Sequence, residues 1–176
     1  MTDTKSPEEA RNPGEASPET TEAPAPPVPE LRTARVLEAR DHPNADRLLV
    51  MRIDLGSEER QIVAGIVGHY ELEELVGKPI VVVANLQHAK LRGEVSQGML
   101  LAAENEEGRL GLLLAPDAVP GTPVRVPDGP APDQSITFQG FHENTLLAGP
   151  GGVTMNGAAL EGTRLIMDRD VYGKLR

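Results

Sequence analysis

The sequence contains no cysteine and no tryptophan, and only two phenylalanines and two tyrosines among its 176 residues. Without cysteine, the chain can form neither a disulfide framework nor a thiolate metal site. The four histidines are widely separated and lack the spacing of metal ligands, so we expect no metal and no cofactor. The shortage of aromatic rings also leaves few platforms on which single-stranded bases could stack.

The sequence also has little positive charge and no long apolar run. No apolar run could span a membrane, and the first residues lack the apolar region of a signal peptide, so we expect a cytoplasmic protein without a membrane partner. The net charge of −10 argues against a nucleic-acid partner. Half of this excess lies in residues 1–31, which hold seven acidic and two basic residues. Any RNA site must therefore be a local basic patch.

One stretch combines basic, small polar and apolar residues in an ordered way. Residues 90–103, KLRGEVSQGMLLAA, open with two cations, turn at Gly93 and Gly98, and end in an apolar run. An apolar run bounded by glycine indicates a buried strand. The polar part before it is expected to be a loop entering a sheet, and loops on a rigid scaffold often carry binding residues.

The composition divides the chain into four parts. Residues 1–31 are acidic and rich in proline, without a periodic apolar face, so we expect a disordered tail. Residues 32–115 alternate apolar and polar residues in short segments, which predicts an all-β domain: a five-stranded barrel of the OB type with one short helix. The strands are predicted at residues 35–39, 48–54, 60–66, 79–86 and 98–103, with a further segment at 109–115 and the helix at 70–76.

The remaining two parts follow the predicted barrel. Residues 116–133 contain six prolines and are expected to form an irregular linker, with a short strand at 122–126. Residues 134–176 predict a small β appendage, with strands at 135–138, 145–148, 153–155 and 164–167. Its Asn156-Gly157 pair is a strong hairpin signal.

Four motifs in order identify a family resemblance: HPNADRLLV at 42–50, QIVAGI at 61–66, VVVANL at 81–86 and KLRGEVSQGMLLA at 90–102. Together they resemble the tRNA-binding domain found at the C-terminus of many bacterial methionyl-tRNA synthetases and in free-standing tRNA-binding proteins. The resemblance implies an OB fold and tRNA as the partner, with an aminoacyl-tRNA synthetase as a further candidate partner.

The appendage resembles the C-terminal extension of the endothelial monocyte-activating polypeptide group. In that group the extension packs where a second subunit would lie, so one chain mimics a dimer. The resemblance implies a monomer with a pseudo-dimer appendage; an ordinary homodimer is the alternative.

The candidate tRNA-binding residues centre on the basic stretch. Lys90 and Arg92 flank Leu91 in what we expect to be an extended loop, so both side chains could face one way and contact phosphates. Ser96 and Gln97 could hydrogen-bond sugar or phosphate groups. The alternative is that these residues are solvated charges and a turn. The other candidates are cations near this patch or residues at strand ends: Arg47, Arg52, Arg60, Asn85 and Met99.

Some neighbouring residues have simpler interpretations. Asn44 and Asp46 are expected to fix the turn in HPNAD through bonds to the backbone, and His42 is expected to be a turn residue. Asn85 could merely end its strand, and Met99 could belong to the core.

No catalytic motif is recognisable in the sequence, so we expect a protein that is not an enzyme. The sequence therefore favours a non-catalytic, structure-specific tRNA-binding protein or a synthetase-associated tRNA-binding module. The alternative is a protein-binding, export-related chaperone, because such a chaperone shares this barrel and similar motifs.

Overall fold

The computed structural model describes residues 26–176. Residues 1–25 of the predicted disordered tail lie outside the described residues. Residues 26–30 lie against the folded part, where Glu30 N–H donates to Asn85 Oδ1 at 2.8 Å and Val28 N–H to Asp133 Oδ2 at 3.2 Å. Contacts with the folded part therefore begin before residue 32, where the sequence places the start of the barrel.

The barrel begins with a three-stranded antiparallel meander. The strands are β1 (Leu31–Asp41), β2 (Leu49–Asp54) and β3 (Glu59–Ala64). Alternate residues of β2 point to opposite faces, so Met51 and Ile53 are buried and Arg52 is exposed. The pairing of β1 with β2 is interrupted by a register shift between Val36 and Glu38, which bends the long strand β1.

Helix α1 (Leu72–Leu75) connects the meander to the rest of the barrel. The barrel strand that follows is β4 (Pro79–Val83). After the two strands of a hairpin, described below, come β7 (Met99–Leu100), β8 (Ala102–Glu104) and β9 (Leu110–Leu114). Strand β4 pairs with β1, β7 and β9, and β9 pairs with β8. The predicted fifth strand is thus divided at Leu101 into two short strands with different partners.

The sheet curls until the segment before β7 meets β3. Gln97 N–H donates to the carbonyl oxygen of Gln61 at 2.8 Å, and Val63 N–H donates to Ser96 Oγ at 2.9 Å. The interior holds large apolar side chains that are almost fully buried, among them Met51, Ile62 and Leu112. The all-β class and the OB-like architecture predicted from the sequence are confirmed.

Residues 89–96 form a hairpin and not the extended loop expected from the sequence. Strands β5 (Ala89–Leu91) and β6 (Glu94–Ser96) pair antiparallel across a two-residue turn. Arg92 has φ = 54° and Gly93 has φ = 98° in this turn, as a tight hairpin requires. The two-residue alternation therefore stops at Leu91, and it does not place Lys90 and Arg92 on the same side.

The C-terminal part contains strands, one short α-helix and a short helical turn at Asp168–Asp170. The strands are β10 (Pro123–Val124), β11 (Leu146–Gly149), β12 (Gly152–Met155), β13 (Ala158–Ala159), β14 (Ile166–Met167) and β15 (Gly173–Lys174). Strands β13, β12, β11 and β15 form a small sheet in that order. The strand predicted at 135–138 is wrong: residues Phe138–His142 form helix α2, with Thr137 Oγ1 accepting from Gly140 N–H.

The appendage is built into the same core as the barrel. Strand β14 of the appendage pairs with β9, and β10, within the predicted linker, pairs with β1. A cluster of buried residues joins Leu31, Val83 and Leu113 of the barrel to Phe141 and Leu146 of the appendage. Within residues 26–176, no helix is long and apolar enough to cross a membrane. The domain boundaries at 32–115, 116–133 and 134–176 stay a prediction.

Candidate nucleic-acid interface

The β5–β6 hairpin presents two exposed cations. Lys90 lies in β5 and Arg92 lies at the turn, and neither forms an ion pair with any described residue. Arg47, also exposed, lies in the HPNADRLL turn and likewise has no ion pair within residues 26–176. Within the described part of the chain, these three side chains can meet an anion without giving up a carboxylate partner.

The HPNAD turn holds the tip of this hairpin. His42 is only 5% exposed, and its Nε2 lies 2.8 Å from the carbonyl oxygen of Leu91. Its Nδ1 accepts from Asn44 N–H at 2.9 Å, so Nε2 must carry the proton that Leu91 accepts. Asn44 Nδ2 adds a long contact of 3.4 Å to the carbonyl oxygen of Arg92. The turn thus fixes the backbone on which the cations lie.

An ion pair supports the hairpin from a second direction. Arg40 Nη2 in β1 lies 3.1 Å from Glu94 Oε1 in β6. Sequence reasoning assigned His42 and Asn44 to their own turn and missed their contact with the hairpin. The sequence offered one signal of this contact, the joint occurrence of the HPNADRLLV and KLRGEVSQGMLLA motifs. A periodic pattern could not reveal it, because periodicity does not pair loops almost 50 residues apart.

Ser96 and Gln97 fix the base of the hairpin to β3. Ser96 is buried; its Oγ accepts from Val63 N–H and donates to the carbonyl oxygen of Gly98, both at 2.9 Å. Gln97 Oε1 accepts from Gln61 N–H at 3.0 Å. Both side chains therefore already have hydrogen-bond partners within the protein.

Asn85 is likewise surrounded by protein partners. It is 7% exposed, and its Nδ2 donates to the carbonyl oxygens of Val28 at 3.0 Å and Asp133 at 2.8 Å. Its Oδ1 accepts from Glu30 N–H, as described above. Asn85 therefore ties the segment before β1 and the segment before α2 to the end of β4.

The two remaining candidate arginines are paired with acidic residues. Arg52 lies between Glu38 and Glu59 and binds both. Arg60 donates to the carbonyl oxygens of Ala84 at 2.6 Å and Gln97 at 3.1 Å. It also lies 3.0 Å from Glu58, and this hydrogen bond lowers the pKa of the Glu58 carboxyl. Neither guanidinium is free for phosphate unless it leaves these partners.

A cleft of about 770 Å³ lies beside the hairpin, between the barrel and the appendage. Met99, Ile66 and Leu91 contribute apolar side chains from the barrel side, and Phe138 and His142 contribute rings from α2. Burial, and then the positive charges of Lys174 and Arg176, lower the pKa of His142, which favours the neutral ring at neutral pH. Of the predicted residues, Ser96 and Met99 line this cleft.

Residues 31–123 match the model of a protein family described as Putative tRNA binding domain. The match spans more than half of the chain, and it includes all four sequence motifs. The chain therefore belongs to this family, and the resemblance inferred from the sequence is confirmed.

Curated relatives of the chain include methionine–tRNA ligases. That of Thermotoga maritima is 57% identical over 95 residues, which make up 54% of this chain and 15% of the ligase. The chain spans only 11–15% of the length of the curated relatives it matches. The likeness is thus confined to a small part of each ligase.

Two solved structures extend the comparison. The C-terminal domain of Plasmodium vivax p43 is 26% identical with a TM-score of 0.75, covering 85% of this chain and 97% of that domain. This coverage exceeds what residues 31–123 can account for, so the likeness includes part of the appendage. A MetRS-related protein from Pyrococcus horikoshii is 38% identical with a TM-score of 0.51, covering 53% of this chain and 87% of that protein.

Proposed function

We propose that this protein is a non-catalytic tRNA-binding module that recognises the folded shape of tRNA. The observation that carries the proposal is the β5–β6 hairpin, which holds Lys90 and Arg92 exposed on a backbone fixed by His42. Fixed cations that contact phosphate position a nucleic acid without reading its sequence. RNA helices are commonly recognised by shape and by their sugar–phosphate groups, which fits this arrangement.

The proposed roles of the candidate residues differ. Lys90, Arg92 and Arg47 contact phosphates, because no acidic residue of the described chain neutralises them. The interface also depends on three polar residues that stabilise its backbone through hydrogen bonds within the protein: Ser96, Gln97 and Asn85. Met99 contributes to the cleft wall. Arg52 and Arg60 extend the interface only where tRNA displaces a carboxylate from them.

The family membership supports a role in translation, either in trans or as a synthetase-associated subunit. The matching part of the Thermotoga maritima ligase is 15% of that protein, so the match does not extend to most of the ligase. Ligase activity of this chain therefore has to be measured on the chain itself. We expect no aminoacylation when the purified chain is assayed with tRNA, methionine and ATP. Co-purification of a synthetase with the tagged chain would identify the partner.

Filter binding tests the proposal directly. The full chain is titrated against intact tRNA, heat-unfolded tRNA and duplex DNA of equal length, at low and at moderate salt. We expect intact tRNA to bind more tightly than the other two at both salt concentrations, since the interface fits a folded shape. Equal affinity for all three would show nonspecific attraction and would overturn the proposal.

The alternative is a protein-binding, export-related chaperone built on the same barrel. Its support is the apolar wall of the cleft, which could accept an unfolded polypeptide. A chaperone would suppress aggregation of an unfolded polypeptide, and Lys90→Ala and Arg92→Ala together would leave that activity unchanged. A tRNA-binding module should lose tRNA affinity with the same double substitution.

A further inference from the structure

The cleft has an exposed aromatic ring at its edge. Phe138 is 60% exposed, whereas Phe141, three residues further along, is 1% exposed and belongs to the core. The Phe138 ring lies edge-on to His142, with 4.4 Å between the ring centroids. Because the Phe138 ring is exposed, a ligand that enters the cleft can contact it. Such a ligand would bury the ring and so provide the stabilisation that an exposed phenylalanine lacks.

The other walls of the cleft combine apolar side chains with polar groups. Ile66, Leu91 and Met99 supply apolar surface, while Gln87, His69 and Arg176 also line it. Arg176 lies 3.0 Å from Glu104, another lining residue. A volume of about 770 Å³ lies inside the range of about 300–1,000 Å³ that is typical of small-molecule sites.

We propose that this cleft receives one unpaired nucleobase of the bound tRNA, stacked against Phe138. The inference rests on the proposed function and deepens it. A base has two apolar faces and a polar edge, which suits a cleft with apolar walls and a few amide and imidazole groups. A neutral His142 ring can donate or accept a hydrogen bond at such an edge.

The position of the cleft favours a nucleotide over a polypeptide. Leu91 lines the cleft and lies between Lys90 and Arg92 in the hairpin. Lys90 alternates with the lining residues Ala89 and Leu91 and therefore faces the other side of β5. Of the two cations, Arg92 at the turn next to Leu91 is the one that a phosphate flanking the base could reach, while a polypeptide offers no regular anion there. The few aromatic residues of the chain are thus sufficient, because a single base needs a single ring.

Substitution of Phe138 tests the stacking. We expect Phe138→Ala to weaken tRNA binding about five- to a hundredfold, as loss of one stacked base does, and Phe138→Trp to restore it. Leu147→Ala is the matched control, because Leu147 is 47% exposed and lines a different groove of the appendage. Unchanged affinity of Phe138→Ala, when the wild-type chain binds tRNA, overturns the inference and leaves the proposed function intact.

Crosslinking provides a second readout that does not depend on an alanine variant. The full chain with Phe138→p-benzoylphenylalanine is irradiated with intact tRNA, and the crosslinked nucleotide is mapped by primer extension. A crosslink at an unpaired nucleotide supports the inference. Crosslinks confined to paired stems, or crosslinks to an added unfolded polypeptide in place of tRNA, overturn it. If the wild-type chain does not bind tRNA at all, the proposed function fails, and this inference fails with it.

Discussion

Arg52 and Arg92 are both exposed arginines, yet their side chains have different surroundings. Arg52 binds Glu38 and Glu59 across neighbouring strands, so a phosphate would have to compete with two carboxylates. Arg92 is fixed at the hairpin turn and has no ion pair within residues 26–176. At the scale of single residues, we therefore propose that the cations without acidic partners serve the interface.

We predict that Arg92→Ala weakens tRNA binding by about 1–3 kcal/mol, the usual loss for a hydrogen bond to a charged group. Lys90→Ala should weaken it less, because lysine offers a point charge without bidentate geometry. Filter binding measures both variants. Arg164→Ala is the matched control and should change affinity little, because this exposed arginine pairs with Asp117 and lies in neither the hairpin nor the lining of the cleft. Unchanged affinity of a correctly folded Arg92→Ala would contradict the assignment of the hairpin.

A second prediction concerns His42. His42→Phe keeps a ring of similar size but leaves the Leu91 carbonyl oxygen without its donor, which should loosen the hairpin and lower tRNA affinity by about 1–3 kcal/mol. Amide hydrogen exchange at residues 89–96 should become faster. His88→Phe, at an exposed position, is the control. Unchanged exchange of the hairpin amides in His42→Phe would show that His42 does not hold it.

At the scale of elements, the short helical turn at Asp168–Asp170 joins the appendage to the barrel. Tyr70 donates from its hydroxyl to Asp168 Oδ2 at 2.8 Å and accepts from Leu112 N–H at 3.2 Å. Burial, and then the hydrogen bond to Asp168, raises the pKa of the Tyr70 hydroxyl. Arg169 lies over the Tyr70 ring, 3.9 Å from its centroid. Tyr70 thus reinforces the attachment of the C-terminal segment to the barrel, beside the β14–β9 pairing and the ion pair of Lys78 with Asp168.

Gly111 shows how closely this segment approaches β9. A Cβ atom at Gly111 would lie 2.2 Å from the carbonyl oxygen of Asp168, which is backbone and cannot rotate away. We predict that Gly111→Ala lowers the free energy of unfolding by about 1–3 kcal/mol or more, as overpacking does. Urea denaturation measures it. Gly151→Ala, where a Cβ would meet nothing within 4 Å, is the control and should be close to neutral.

The barrel strands could be predicted from the sequence to within a few residues, because their apolar residues occur in short segments separated by turn residues such as Gly56. Helix α2 could not be predicted. Ile136 and Phe138 read as alternating apolar residues. The helix is supported instead by the Thr137 cap and by Asn144, whose Nδ2 donates to the carbonyl oxygen of the distant Pro27 at 2.7 Å. The hairpin was missed because its strands have three residues each and are mostly exposed.

The candidate site was only partly predictable from the sequence, because some of its residues have partners far away along the chain. Charge and turn residues pointed to Lys90 and Arg92 as candidates, since these properties are local, and the structure shows both side chains exposed. Asn85 and Ser96 have polar side chains whose partners lie between 2 and 57 residues away, so their burial could not be read from neighbouring residues. Contacts between distant segments give these side chains internal hydrogen bonds, and their role in tRNA binding stays a prediction.

At the scale of the whole molecule, the appendage covers a surface that the barrel alone would expose. Phe141, Leu146 and Val171 belong to one buried cluster with Leu31, Val83 and other barrel residues. Burial of these side chains within a single chain removes the apolar patch that would otherwise favour self-association. We therefore expect a monomer, in which the appendage occupies the position of a second subunit, and not an ordinary two-fold dimer.

Light scattering on the full chain tests this expectation. A mass near 18.8 kDa supports the monomer, and twice that value rejects it. Truncation after Asp133 removes the appendage part of the shared cluster, so the truncated chain should dimerise or aggregate. Deletion of residues 1–25 is the control, because it removes no described contact. The shortened chain should still have the mass of a monomer. A truncated chain that stays monomeric and soluble would show that the appendage does not replace a subunit.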